Sequence, residues 1–192
     1  MSTLVILVII LIVIAIWIVS IYNKLIHMIE EVNNNQQQID VQLDRRYKVY
    51  ESLIESVKKY MDYEKTTLKE VVALRNQAQQ ARNAGDEKGR VNAEEAISKI
   101  GTNIGLVFEQ YPQLKADQNV LQLQEEIVNT ENKLTFAKQA YNDSIERYNA
   151  TKKSLFESMI VGLCPGKLLK DFTYWGISSE QRQQQENYKV KL

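Results

Sequence analysis

The most one-sided stretch of the chain comes first. From Leu4 to Ile21 it reads LVILVIILIVIAIWIVSI, eighteen residues with one serine and no charge, and the first charged side chain is Lys24. At 1.5 Å per residue this is about 27 Å of helix, close to the ~30 Å hydrocarbon thickness of a bilayer. The β-branched residues would favour a strand in water, but in lipid every backbone polar group must be satisfied within the segment, so a helix is predicted. Trp17 and Tyr22 fall near its far end, where aromatic rings prefer the membrane interface. A cleaved signal peptide is the rival reading. The leading MST has no Lys or Arg and no small-x-small pattern follows the run, so an uncleaved single-pass anchor in the cell membrane is expected. No Lys or Arg precedes the span, whereas Lys24, Arg45, Arg46 and Lys48 follow it, which predicts a cytoplasmic C-terminal domain.

Beyond the anchor the pattern changes to steps of three and four. Tyr47, Tyr50, Ile54, Val57, Met61, Glu64, Leu68, Val71 and Arg75 form one such series, the mark of a long helix packed on one face. Ile97, Ile100, Ile104, Phe108 and Tyr111 form a second, stopped by Pro112. The longest runs from Val120 through Leu123, Ile127, Leu134, Ala137, Tyr141, Ile145 and Tyr148 to Leu155, with Asp117 as its expected N-cap. Tyr22 to Gln42 lacks Gly and Pro, so the anchor helix is expected to run on into the first bundle helix. The polar run Asn33 to Gln38 reads as a linker or as a solvated helix face, the second being commoner. Breaks are expected at Asn83 to Arg90 and at Tyr111 to Asp117, and the tail after Trp175 lacks a stripe.

Composition agrees with an all-α reading: seven glycines and two prolines are few, and Gln, Glu, Lys, Leu and Asn abound. Roughly 165 residues remain outside the apolar run, one domain's worth. The 24 basic and 24 acidic residues cancel, which argues against nucleic acid as a partner. One cysteine, Cys164, and one histidine, His27, supply neither a disulfide nor a zinc site, and Cys164 has no neighbouring base to make it a nucleophile. G-x-x-x-x-G-K-S/T, G-x-S-x-G and H-E-x-x-H motifs are absent. Neither a cofactor, a metal nor a small-molecule substrate is therefore predicted, and the chain is expected not to be an enzyme. Gly101 and Gly105 form G-x-x-x-G among polar residues, a setting that favours ordinary helix packing over membrane dimerisation.

Several stretches together carry a family pattern: YNKL at Tyr22 to Leu25, IDVQLDRRY at Ile39 to Tyr47, VKKY at Val57 to Tyr60, YPQLKADQNVLQLQEEIVNTENKL at Tyr111 to Leu134, and AYNDSIERYN at Ala140 to Asn149. In this combination the chain resembles the LemA family. After the predicted N-terminal transmembrane helix, the resemblance implies an up-and-down bundle of four long helices, with a break near Tyr50 to Ser52. Two departures stand out: Glu51 occupies the place of an expected proline, and Phe156-Glu157 replaces an aromatic-Pro pair. Without the proline the break becomes a kink, or the helix runs straight through. The expected layout is an anchor at 1–23, a bundle at 24–163, and an amphipathic segment with a polar tail at 164–192.

That topology returns the chain to the membrane twice, at the Asn83 to Arg90 loop with Arg82, Lys88 and Arg90, and at Leu155 to Trp175. The second segment combines apolar residues with Lys167 and Lys170, so Trp17, Tyr22, Lys167, Lys170 and Trp175 are candidate membrane-interface residues, unless the segment caps the bundle core instead. At the opposite end the same topology gathers Asp40, Asp44, Arg45, Arg46, Gln122, Gln124, Glu125, Glu131 and Asn132. These are candidates for binding a protein, or for pairing helices to one another. The expected function is a non-enzymatic, membrane-tethered helical module that binds or scaffolds another protein; the alternative is a self-assembling structural protein that shapes or marks a membrane region. The LemA resemblance itself implies no established activity.

Overall fold

The computed structural model describes residues 2–57, 64–108 and 117–176. Six helices account for the regular structure of these residues: α1 (Ser2–Val57), α2 (Glu64–Asn83), α3 (Glu87–Phe108), α4 (Gln118–Lys152), α5 (Leu155–Leu163) and α6 (Pro165–Leu168). No strand occurs among the described residues, so the protein is all-α, with a long N-terminal apolar helix as expected. By length and composition α1 can cross a membrane, and its residues 3–20 are exposed. The chain falls into two compact units, one of residues 1–37 and 139–174, the other of residues 38–138 with Trp175 onward.

In the first unit α1 and α4 run antiparallel. Asn35 Nδ2 donates to the Ala140 carbonyl at 3.2 Å, and Arg147 pairs with Glu31 one turn further back along α1. Ile21 and Leu25 of α1 pack with Ile160 and Val161 of α5 and Leu168 of α6 in one apolar cluster, flanked by Tyr22 and Ile26. The extended stretch after α6 is laced along α4. The Tyr148 hydroxyl donates to the Leu168 carbonyl and accepts from the Lys170 N–H at 2.9 Å, Lys152 Nζ donates to the Lys170 carbonyl at 2.8 Å, and the Tyr141 hydroxyl donates to the Thr173 carbonyl at 3.1 Å. These contacts give an otherwise unpaired backbone its partners.

The second unit packs the later part of α1, all of α2 and α3, and the early part of α4. Its core draws Ile39, Leu43, Tyr50, Leu53 and Ile54 from α1, Val71 and Ala78 from α2, Ala93 and Ile97 from α3, and Val120 and Leu134 from α4. Asp117 caps α4, accepting from the N–H groups of Asn119 at 2.9 Å and Val120 at 3.4 Å. Asp86 likewise accepts from the Gly89 N–H at 2.9 Å at the start of α3, and Gly85 just before it takes φ +73° to turn the chain between α2 and α3.

Of the two outcomes left open at Glu51, the helix runs straight through: α1 is helical to Val57, and the Ser52 and Ser56 hydroxyls donate to the carbonyls four residues earlier, at 2.9 and 2.8 Å. The Tyr47 to Arg75 series is not one face of one helix. Arg75 Nη2 lies 3.4 Å from Asp44 Oδ1, 31 residues away in sequence, a separation that would be about 46 Å along a straight helix. Tyr47, Tyr50 and Ile54 belong to α1, whereas Val71 and Arg75 belong to an α2 that returns alongside it. The end of α4 also differs, since Leu155 lies beyond it and is exposed. Met61, Tyr111 and Pro112 lie outside the described residues, as do the side chains of Glu64, Leu68, Gly101, Ile104, Gly105 and Phe108 and the tail from residue 177.

Candidate functional site

The polar residues singled out from the sequence divide into a buried network and an exposed set. Arg46 is 1% exposed and Glu94 is 3% exposed, and their side chains form an ion pair between α1 and α3. Arg46 Nη1 also donates to Ser98 Oγ at 2.8 Å and lies 3.7 Å from Glu131 Oε1 on α4. The Tyr47 hydroxyl donates to Glu94, and the Tyr50 hydroxyl donates to Glu131 at 3.1 Å. One guanidinium and two tyrosines of α1 thus clasp carboxylates on two neighbouring helices. Burial pushes both tyrosine hydroxyls well above their ordinary range, with the facing Glu94 or Glu131 charge adding to it. The Lys138 ammonium is pulled down, first by burial and then by Arg46, against the opposing pull of Glu131 and Glu94. Arg46 is therefore no surface for a partner; it holds helix register from inside the core, and Glu131 is half drawn into the same network.

Asp40 is also taken up internally. Arg82 Nη2 sits 2.7 Å from Asp40 Oδ2, and Arg90 pairs with the other oxygen. This corrects the expectation that Arg82 and Arg90 belong to a membrane-facing loop at the end opposite Asp40. Because α1 continues past Glu51, α2 starts later and arrives level with Asp40 only at its last turn, bringing both arginines onto one carboxylate. Asp44 is paired with Lys48 at 2.7 Å as well as with Arg75, and the Arg75 guanidinium lies 4.9 Å from the Tyr47 ring centroid. Asp40, Asp44, Arg75, Arg82 and Arg90, with Tyr47 and Glu94, line a half-open cleft of about 180 Å³. Its three arginines face three carboxylates, Asp40, Asp44 and Glu94, so it has no net charge with which to select an ion.

What remains accessible is Arg45, which pairs with Glu126 while partly exposed, together with exposed Gln122 and Asn132 and half-buried Gln124. A feature not singled out from the sequence adjoins them. On α4, Leu121, Val128 and Phe136 are all exposed, Phe136 at 69%. At about 100° per residue they fall within roughly 80° of one another, with Glu125 and Asn132 on the same face. Their spacing of seven and eight was visible in the sequence, but the buried stripe of the same helix drew the stronger signal.

Of the candidate membrane residues, Trp17 is exposed on the apolar run, Tyr22 is half-buried beside the first-unit cluster, and Lys167 and Lys170 are exposed. Trp175 stands apart: it is 5% exposed, with the Arg90 guanidinium 4.6 Å and Lys138 Nζ 5.4 Å from its ring centroid. It is part of the second unit's core, not an interfacial side chain. Among the described residues, no three His, Cys, Asp or Glu side chains converge as a metal site.

A comparison with curated proteins finds no match. Among protein families, the LemA family matches residues 35–191, a span that includes the Arg46 network, the α4 face and the chain that follows α6. With that match over most of its 192 residues, the chain belongs to the LemA family.

Proposed function

We propose that this chain is a single-pass, membrane-anchored helical module without enzymatic activity, which binds another protein through the outer face of α4. The observation that carries this reading is the aligned exposure of Leu121, Val128 and Phe136. Single exposed apolar residues are ordinary, but three on one face, interspersed with Glu125 and Asn132, make an amphipathic stripe of the kind that accepts a partner helix. Asn132 and Gln122 are the polar candidates that fit this surface, and Arg45, on α1, reaches α4 through its pair with Glu126. The absence of nucleotide, hydrolase and metalloprotease motifs from the sequence, with one histidine and one cysteine in all, supports a non-catalytic role. Anchoring rests on the uncharged Leu4 to Ile21 run, and a cytoplasmic C-terminal domain on Lys24 following that run with no Lys or Arg before it.

A photo-crosslinking amino acid in place of Phe136, used in cells, tests the reading by mass spectrometry of the adducts. Adducts with one different protein, lost when Val128→Glu is added, are expected. Adducts of the chain only with itself would favour the self-assembling alternative, and an adduct-free result would exclude this face.

A further inference from the structure

We infer that α5 is a second membrane contact, whose face carrying Leu155, Phe156, Met159 and Leu163 enters the bilayer that holds α1. This rests on the anchor reading above and extends it to a part of the chain that follows α4. All four side chains are exposed, Leu155 at 72% and Leu163 at 74%. At about 100° per residue they occupy an arc of roughly 100°. Three residues outside that arc are committed elsewhere: Ile160 and Val161 pack on Ile21 and Leu25, and Glu157 accepts a hydrogen bond from Lys24 Nζ at 3.0 Å. A nine-residue helix with no charge on its open face, fixed by its other side, has the build of an interfacial element.

The occupant is identified by continuity with the anchor. The Phe156 ring meets the Trp17 ring edge-on, with centroids 4.9 Å apart and planes at 74°. Trp17 lies four residues, about 6 Å of helix, inside Ile21, the last residue of the apolar run. That depth matches the ~5–10 Å to which interfacial helices sink their apolar faces. The Lys24 to Glu157 pair then falls just outside the run, where charges can stay wet. Lys167 and Lys170, both exposed, follow α5 and suit anionic headgroups.

The test uses the full chain reconstituted in liposomes, with the one cysteine removed as Cys164→Ser and a nitroxide attached at Met159→Cys, Ser158→Cys or Ile10→Cys. Relaxation by oxygen, which concentrates in lipid, is compared with relaxation by a water-soluble nickel chelate. The expected result is an oxygen-to-nickel ratio at Met159 shifted well above that at Ser158 towards, but below, that at the deeper Ile10, with Ser158 favouring nickel. A Met159 probe as open to nickel as Ser158, while Ile10 stays in lipid, overturns the inference and leaves the anchor standing. If Ile10 is also open to nickel, the anchor reading fails with it. A Met159 probe shielded from both relaxants means that protein covers the face, a second copy if spin–spin broadening accompanies it, and equally overturns the lipid assignment.

Discussion

Arg46 on α1 and Glu94 on α3 form an ion pair sealed inside the second unit, and Arg46 is also within 3.7 Å of Glu131 on α4. The geometry ties three helices to one guanidinium. Removing one member leaves the other buried without its counter-charge, which typically costs about 3–5 kcal/mol, whereas replacing both by apolar residues is often neutral. Arg46→Leu is therefore expected to lower the denaturation midpoint of the detergent-solubilised chain sharply, and Arg46→Met combined with Glu94→Leu to recover much of the loss. Urea titration followed by circular dichroism measures both; equal loss in the single and double variants would mean that the pair itself is net stabilising.

Alkaline pH bears on the same cluster. Tyr47 and Tyr50 have folded-state pKa values raised above the ordinary value of 10.0, so the folded state favours their neutral forms. Their contribution is fully present below pH 10 and is lost as pH rises from there towards the folded values. Lys138 acts oppositely, because its lowered pKa is a penalty on the charged form that is relieved as pH approaches 10.5. With two tyrosines against one lysine, stability should fall above pH 10, and Tyr47→Phe with Tyr50→Phe should flatten that fall. A double variant that denatures over the same alkaline range would refute this assignment.

The α2–α3 turn depends on two neighbours with separable roles. At Gly85 an added Cβ would meet open space, so Gly85→Ala should cost only the left-handed backbone, about 1–2 kcal/mol, and Gly85→Asn less. Asp86→Ala removes the cap on α3 and should cost about 1 kcal/mol. Thermal melts of the three variants are the check, and Gly85→Asn melting below Gly85→Ala would contradict the backbone argument.

Opposite faces of α4 should respond differently to truncation. Phe136→Ser and Val128→Ser, on the outer face, should each leave stability within about ±0.5 kcal/mol, and Val128→Ser should also abolish crosslinks from a photo-reactive residue at position 136 to the proposed partner. Ile145→Ala, at a fully buried position of the same helix, should cost about 2–5 kcal/mol. A large stability loss at Phe136 would assign that residue to packing instead of binding.

Periodicity and residue chemistry were enough to read the helices, the Asp117 cap and the family. Three things were not legible. The 47–75 series steps evenly by three and four across the boundary between α1 and α2, and the Arg75 to Asp44 and Arg82 to Asp40 pairs reveal that the chain has reversed. The adjacent Arg45 and Arg46 are chemically identical and differ by about 100° of helix rotation. Which of them is buried depends on where α3 lies, information carried by residues some fifty positions away. Trp175 was similarly ambiguous, since an aromatic residue near two lysines in sequence fits an interface as well as a core. Its neighbours in space, Arg90 and Lys138, come from α3 and α4.

The burial of Trp175 has a spectroscopic consequence. The chain has two tryptophans, and each belongs to a different unit: Trp17 sits exposed on the apolar run, and Trp175 is enclosed between two cations. Intrinsic fluorescence therefore contains two separately addressable signals, one from an exposed indole on the apolar run and one shielded from acrylamide until the second unit opens. With either indole replaced by phenylalanine, the remaining emission reports on a single unit of the native protein without any added label.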